Sequence, residues 1–149
     1  MRKTLATAAI LSLAALGALV PTTGAQASTA CDTAWRNASS GYLYAYDLTN
    51  CSGLFGRSAS NDSNWGDNSG PFQRNNDNAA TSVLFKGTTG LAVKFYEGPG
   101  YSGGHLCLEA SEAYADSLAG TTFSNGTPAN DNISSHRWVP STECGAFLD

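Results

Sequence analysis

Charge is scarce in this sequence, and positive charge is scarcest. Asp, Glu, Lys and Arg make up 13% of the 149 residues, with eight Lys and Arg against twelve Asp and Glu. Arg2 and Lys3 stand at the very start of the chain, so the remainder is more acidic still. A lysine-poor, acidic surface argues against nucleic acid or an anionic membrane as partner and is compatible with divalent cations. Histidine is nearly absent. His105 and His136 are the only two; neither lies in an HExxH motif, and Ser134-Ser135-His136 has no nucleophile context, so both read as surface or strand-edge residues. No CxxC pair exists, which argues against zinc. Beyond Val20 no segment is apolar enough to span a bilayer.

What is present begins with an export signal. Arg2 and Lys3 precede an apolar run from Leu5 to Val20, then Pro21 and the small-residue sequence Ala25-Gln26-Ala27. That order predicts a secretory signal peptide over residues 1–27 and an extracellular domain over residues 28–149. Such a length suits one compact domain with a modest core, helped by covalent staples. The four cysteines, Cys31, Cys51, Cys107 and Cys144, read as two disulfides with three possible connectivities. Cys31–Cys51 with Cys107–Cys144 is favoured, because each bond then ties one half of the chain to itself.

The halves resemble each other. Tyr46, Ser52 and Gly53 recur as Tyr96, Ser102 and Gly103 at an offset of 50, and residues 77–82 recur as residues 130–135 at an offset of 53. Tyr42-Leu43-Tyr44-Ala45-Tyr46 and Leu91-Ala92-Val93-Lys94-Phe95-Tyr96 are rich in strand formers, and each ends in a turn cluster. Val83-Leu84-Phe85 is a third apolar run, closed by a glycine-bracketed connection to the second half. Residues 61–78, mostly Asn, Asp, Ser and Gly, read as loop, with Trp65 and Phe72 as pins into the core. One short helix is expected from Ser111 through Leu118, with Gly120 as its stop. The expectation is an all-β sandwich of two Greek-key motifs, over about residues 41–86 and 90–139, with a tail over 140–149.

Tyr96-x4-Tyr101-x-Gly103 is similar to the aromatic–aromatic–glycine motif of the first hairpin in βγ-crystallin Greek keys; in the first half Cys51 replaces the second aromatic. Asp77-Asn78-x-x-Thr81-Ser82 and Asn130-Asp131-x-x-Ser134-Ser135 resemble that family's calcium pattern, two Asx residues, two spacers, then Ser or Thr and Ser. Calcium takes oxygen ligands at about 2.3–2.6 Å, which short Asx and hydroxyl side chains supply with backbone carbonyls. The resemblance implies Asp77, Asn78, Thr81, Asn130, Asp131 and Ser134 as ligands, with carbonyls near residues 47–50 and 97–100. It implies that the two arches exchange ligands, and that Ser82 and Ser135 hold the folded hairpins. One carboxylate per arch predicts weak calcium binding, on the order of 10⁻⁵–10⁻³ M.

The mature chain as a whole resembles secreted actinobacterial proteins of the Streptomyces-type metalloproteinase inhibitor family. The resemblance implies a monomeric, non-enzymatic protein that occupies the active site of an extracellular metalloproteinase with a rigid, substrate-like segment. Cys51-Ser52-Gly53-Leu54-Phe55 is the first candidate for that segment; Leu106-Cys107-Leu108 reads as a buried strand. The competing classes are a calcium-dependent cell-wall or glycan-binding module, an antimicrobial toxin of the killer-toxin kind, and a passive coat protein. In the glycan reading Trp65 or Tyr114 stacks on sugar. Residues 62–68 mimic an EF-hand loop only superficially, since Gly66 and Asp67 are out of order and Gln73 replaces the closing glutamate. Glu109 and Glu112 could be imagined as a glycosidase pair, but nothing fixes their separation across a cleft.

Overall fold

A computed structural model describes residues 29–88 and 90–148; the signal peptide expected over 1–27 lies outside the described residues. Strands run over β1 (Tyr42–Leu48), β2 (Ser52–Ser58), β3 (Ser82–Lys86), β4 (Leu91–Gly98), β5 (Ser102–Glu109), β6 (Tyr114–Ala115) and β7 (Ser135–Pro140), after a helix α1 (Thr29–Asn37). They form two antiparallel sheets, one in the order β2-β1-β3-β6 and the other β5-β4-β7. The all-β sandwich expected from the repeat is the architecture found.

Each half lends a short pairing segment to the other's sheet, a two-residue strand in one case and a single bridge in the other. From the second half, Ala115 and Tyr114 of β6 pair with Val83 and Leu84 of β3. From the first, Asp62 bridges His136 of β7, its N–H donating to the His136 carbonyl at 3.0 Å and its carbonyl accepting the His136 N–H at 2.9 Å. This exchange welds the two Greek keys into one core. Strand alternation fills it: Leu43, Ala45, Val83 and Phe85 face Val93, Phe95, Leu106 and Leu108. Trp65 and Phe72, on the otherwise irregular segment between β2 and β3, are fully buried and stack at 4.2 Å between ring centroids. They pin the loop as the sequence predicts.

The two first hairpins are copies of one another. Positive φ falls at Asn50, Cys51 and Gly53 in one and at Gly100, Tyr101 and Gly103 in the other. Gly53 is required twice over, because its φ is +68° and a Cβ there would run into the Asp47 carboxylate. Ser82 Oγ donates to the Leu48 carbonyl at 2.6 Å and accepts the Cys51 N–H at 3.2 Å; Ser135 Oγ does the same with Gly98 at 2.7 Å and Tyr101 at 3.2 Å. Both serines clamp the hairpins, in the role the resemblance implies.

The helix is not where the sequence placed it. Residues 111–120 form turns around β6, with Ala113 at a φ of 66°. Pairing of Tyr114 and Ala115 with β3 outweighs the weak cap signal at Ser111. The helix is α1 instead. Cys31, Ala34, Trp35 and Ala38 carry helical spacing, with Asp32 in the first turn and Arg36 in the last, where each opposes the helix dipole favourably. Ala34 and Ala38 pack on Tyr44, Tyr46 and Leu84, covering the outer face of the first sheet. Lys86 Nζ donates to the carbonyls of Trp35 at 2.8 Å and Arg36 at 3.2 Å, closing the helix's C-terminal end.

Both disulfides join as expected, Cys31–Cys51 and Cys107–Cys144. Each straps a terminal segment onto an outer sheet face, α1 on one side and the turn Ser141–Glu143 on the other. No helix among the described residues is long and apolar enough to cross a membrane.

Candidate functional site

The two Asx-rich arches meet across the approximate two-fold of the repeat. Asn78 and Asp131 are the second residues of their arches, and both take left-handed backbone, with φ of 54° and 55°. That conformation is accessible to Asx residues and tips the side chain toward the opposite arch. Thr81 Oγ1 donates to Asp131 Oδ1 at 3.1 Å, and Ser134 Oγ donates to Asn78 Oδ1 at 3.2 Å. The backbone repeats the exchange: the Asn78 N–H donates to the Ile133 carbonyl at 3.1 Å, and the Asp131 N–H to the Ala80 carbonyl at 3.0 Å. Thr81 and Ser134 are anchored alike, their N–H groups donating to Tyr46 and Tyr96 at 2.9 and 3.0 Å. All six residues singled out in the sequence converge at this one end of the sandwich.

The first residue of each arch holds the informative atom. Asp77 Oδ1 and Asn130 Oδ1 are buried and have no hydrogen-bond partner. Their companion groups are engaged: Asn78 Nδ2 donates to Asp77 Oδ2 at 3.1 Å, and Asn130 Nδ2 to Asp131 Oδ2 at 2.8 Å. A buried oxygen without a partner costs on the order of 1–3 kcal/mol. One such oxygen at the matching position of each arch leaves each arch an acceptor that a ligand could satisfy. The donor set fits a hard divalent cation such as calcium, since it is all oxygen with one carboxylate per arch. No cluster of three or more His, Cys, Asp or Glu side chains with metal-binding geometry occurs among the described residues, so the site draws on neutral oxygens.

The hairpin beside the second arch is held by charge. Glu97 Oε2 accepts from Asn125 Nδ2 at 2.6 Å and from the Gly104 N–H at 3.2 Å, and these bonds, Asn125 first, hold its carboxyl below the usual range. Of residues 97–100, the ones expected to lend carbonyls, the Glu97 side chain is thus committed to the fold.

Other candidates fall elsewhere. His136 is not at the surface or a strand edge: it is fully buried, facing the core from β7. The Trp65 indole N–H donates to its Nδ1 at 2.9 Å, and its Nε2 lies 2.9 Å from the Ser60 carbonyl, which fixes the tautomer with the proton on Nε2. Burial pushes this imidazole down to about 4, against a smaller opposing effect of the Ser60 carbonyl. Sequence reading missed this network, although strand parity places His136 on the same face as Trp138. His105 lies half-buried on β5, a sheet edge, as expected. Trp65 cannot stack on a sugar because it is fully buried, and the Tyr114 hydroxyl donates to Asp32 Oδ1 at 2.8 Å.

The candidate inhibitory segment is not a free loop. Cys51 closes the first hairpin and residues 52–55 open β2, an edge strand. Leu54 is 55% exposed. Phe55 turns inward, with its ring 6.0 Å from Phe72 and 6.3 Å from Trp65.

Paired sheets with exchanged short strands, duplicated folded hairpins and crossed arches define the architecture, and solved structures share it. One from work on the evolution of the eye-lens βγ-crystallin domain fold superposes with a TM-score of 0.51 at 18% identity, over 69% of this chain and 89% of its own. The chain has the βγ-crystallin domain fold. A βγ-crystallin from an archaeon is also similar, with a TM-score of 0.48 at 24% identity over 68% of this chain and all of its own. So is the N-terminal domain of protein S, at 0.45 and 18% over 66% and 96%. No family model matches the chain, and no curated protein does. The two crystallin-type keys thus rest on three-dimensional likeness.

Proposed function

We propose that this βγ-crystallin-type domain is an exported calcium-binding protein whose arches each take one ion. The observation that carries the reading is the matched pair of buried, unpartnered oxygens, Asp77 Oδ1 and Asn130 Oδ1, beside the crossed Thr81–Asp131 and Ser134–Asn78 contacts. Asp77, Asn78 and Thr81 would serve with Asn130, Asp131 and Ser134, and the ion would satisfy the stranded oxygens. Two disulfides support an oxidising, extracellular destination. A ligand present at about 100 times its Kd stabilises the folded state by about 2.7 kcal/mol. Millimolar calcium is therefore expected to raise the melting temperature over that in chelator by roughly 10 °C. Asp77→Ala is expected to remove much of that rise while changing the melting temperature in chelator little, since Oδ1 has no partner to lose and the exposed Asn78 amide that bonds Oδ2 can turn to water instead. Identical melting curves in calcium and chelator would remove the calcium reading.

A metalloproteinase-inhibitory role is the second reading, favoured by the edge position of β2. An exposed edge offers unpaired backbone groups for strand addition to a protease cleft. Disulfide Cys31–Cys51 anchors the start of this edge, and Leu54 stands out from it. A preorganised segment loses little entropy on binding. Titration of a thermolysin-like metalloproteinase, with calcium in excess so that chelation cannot mimic inhibition, is expected to give stoichiometric loss of activity. Leu54→Asp is expected to weaken inhibition by about 10–100-fold, as for a central interface residue. Full protease activity at large molar excess of the protein rules the reading out, and leaves calcium binding untouched.

A further inference from the structure

The outer faces of the two sheets are built on the same plan and finished differently. On the first sheet Tyr44, Tyr46 and Leu84 lie beneath α1 and form an apolar cluster. By the repeat offsets, the equivalent positions on the second sheet are Lys94, Tyr96 and Arg137. Lys94 of β4 sits directly opposite Arg137 of β7 in the ladder, and Tyr96 is the next outward residue along β4. Two of the few cations in an acidic chain are thus adjacent, where the first sheet has apolar side chains.

Two of these groups, Tyr96 and Arg137, carry donors that no acceptor meets. Lys94 is only 9% exposed, and its ammonium donates to the backbone carbonyl of Glu143 at 2.9 Å. Arg137 Nε is buried with no hydrogen-bond partner, and so is the Tyr96 hydroxyl, on a residue 5% exposed. The guanidinium carbon lies 5.6 Å from the Tyr96 ring centroid and 5.8 Å from that of Tyr101. Lys94 Nζ is 6.0 Å from the Tyr96 centroid. The Arg137 guanidinium favours ionisation of the Tyr96 phenol, but burial is the larger effect and raises its pKa; Glu143 adds a smaller effect in the same direction. His105, opposite Tyr96 on β5, has its pKa lowered by burial first and then by the Lys94 charge. The Glu143 side chain is exposed, and it is the Glu143 backbone, not its carboxylate, that receives the Lys94 ammonium. Burying two donors without an acceptor beside a second cation is costly, and one oxyanion would answer both.

We propose that Lys94, Tyr96 and Arg137 form a binding site for a single oxyanion, a carboxylate or a group of sulfate size, on the outer face of the second sheet. Arg137 and Tyr101 are half-buried, so part of each side chain reaches the surface. The ligand would accept from the guanidinium and ammonium and draw the phenol hydroxyl to it. The site uses none of the arches' side-chain oxygens, although the Tyr96 carbonyl accepts the Ser134 N–H.

Titration of the ¹⁵N-labelled protein with sodium acetate or sodium sulfate, against sodium chloride at matched ionic strength, tests the proposal. The expected result is a saturable shift of the Arg137 Nε–H resonance with at least one oxyanion and none with chloride. Saturation by acetate alone assigns a carboxylate ligand; saturation by sulfate as well assigns oxyanions generally. Arg137→Leu, which restores the residue type found at Leu84, is expected to weaken binding at least about 10-fold as read from the Tyr96 and Tyr101 ring resonances. Shifts that stay linear, or that chloride reproduces, overturn the proposal from the wild-type protein alone. Undiminished binding in a folded Arg137→Leu protein overturns it too.

Discussion

Replacing Trp65 with alanine is expected to destabilise the protein by about 3–5 kcal/mol, among the largest losses for any single substitution in this core. Trp65 is fully buried, stacks on Phe72 and meets Phe55 and His136 edge-on. Two costs coincide. Truncation leaves a cavity between the loop and the second sheet, and it strips the donor from His136 Nδ1, a buried acceptor with no access to water. Trp65→Phe separates them: much of the ring volume stays and the N–H is lost, so a smaller cost of about 1–3 kcal/mol is expected for the stranded acceptor. Urea unfolding of the three proteins at pH 7 measures both. If Trp65→Phe proves as damaging as Trp65→Ala, the lost hydrogen bond outweighs the lost packing.

Acid is expected to unfold the protein earlier than its carboxylates alone would dictate, through His136. Its folded-state pKa is about 4, against about 6.5 for an unperturbed imidazole. Between these values the unfolded chain binds the proton and the folded chain does not, so stability falls as pH falls. The contribution is fully present above about pH 6.5 and is lost progressively toward pH 4, by about 3 kcal/mol in all. The structural cause is the fixed tautomer. Protonation puts a hydrogen on Nδ1, facing the Trp65 indole N–H, while Nε2 is already committed to the Ser60 carbonyl. The segment from Ser60 to Phe72 should loosen first, since the Asp62 carboxylate holds the Phe72 and Asn64 N–H groups next to the same bridge. In His136→Asn, whose side chain does not titrate, the slope of stability between pH 6.5 and 4 is expected to flatten. An equally steep slope in that variant would assign the acid sensitivity to other groups.

Much of the fold was legible because its signals are local. Strand alternation in β1 and β4, glycines at Gly53 and Gly103, and Asx pairs before Ser or Thr each depend on a few neighbouring residues. The repeat then doubled every signal. The helix was misplaced for a related reason. A serine cap and a glycine stop suggested one at residues 111–120, whereas the stripe of Cys31, Ala34, Trp35 and Ala38 is short and adjoins the segment expected to be a leader. What decided between them was long-range: a sheet edge at β3 to pair with Tyr114 and Ala115, and an apolar face at Tyr44, Tyr46 and Leu84 to cover.

The sequence by itself determined the two-key β architecture, favoured the cysteine pairing that is found, and placed two matching Asx–Ser/Thr arches in the repeat. It did so because backbone conformation, strand parity and turn chemistry are set within a few residues. Only the tertiary structure decided that Thr81 meets Asp131 and Ser134 meets Asn78, across 50 and 56 residues, and that Trp65 closes on His136 across 71. It alone stranded Asp77 Oδ1, Asn130 Oδ1, Tyr96 OH and Arg137 Nε in the interior. Burial and hydrogen-bond completion are properties of whatever the chain brings from far away, and no local pattern encodes them.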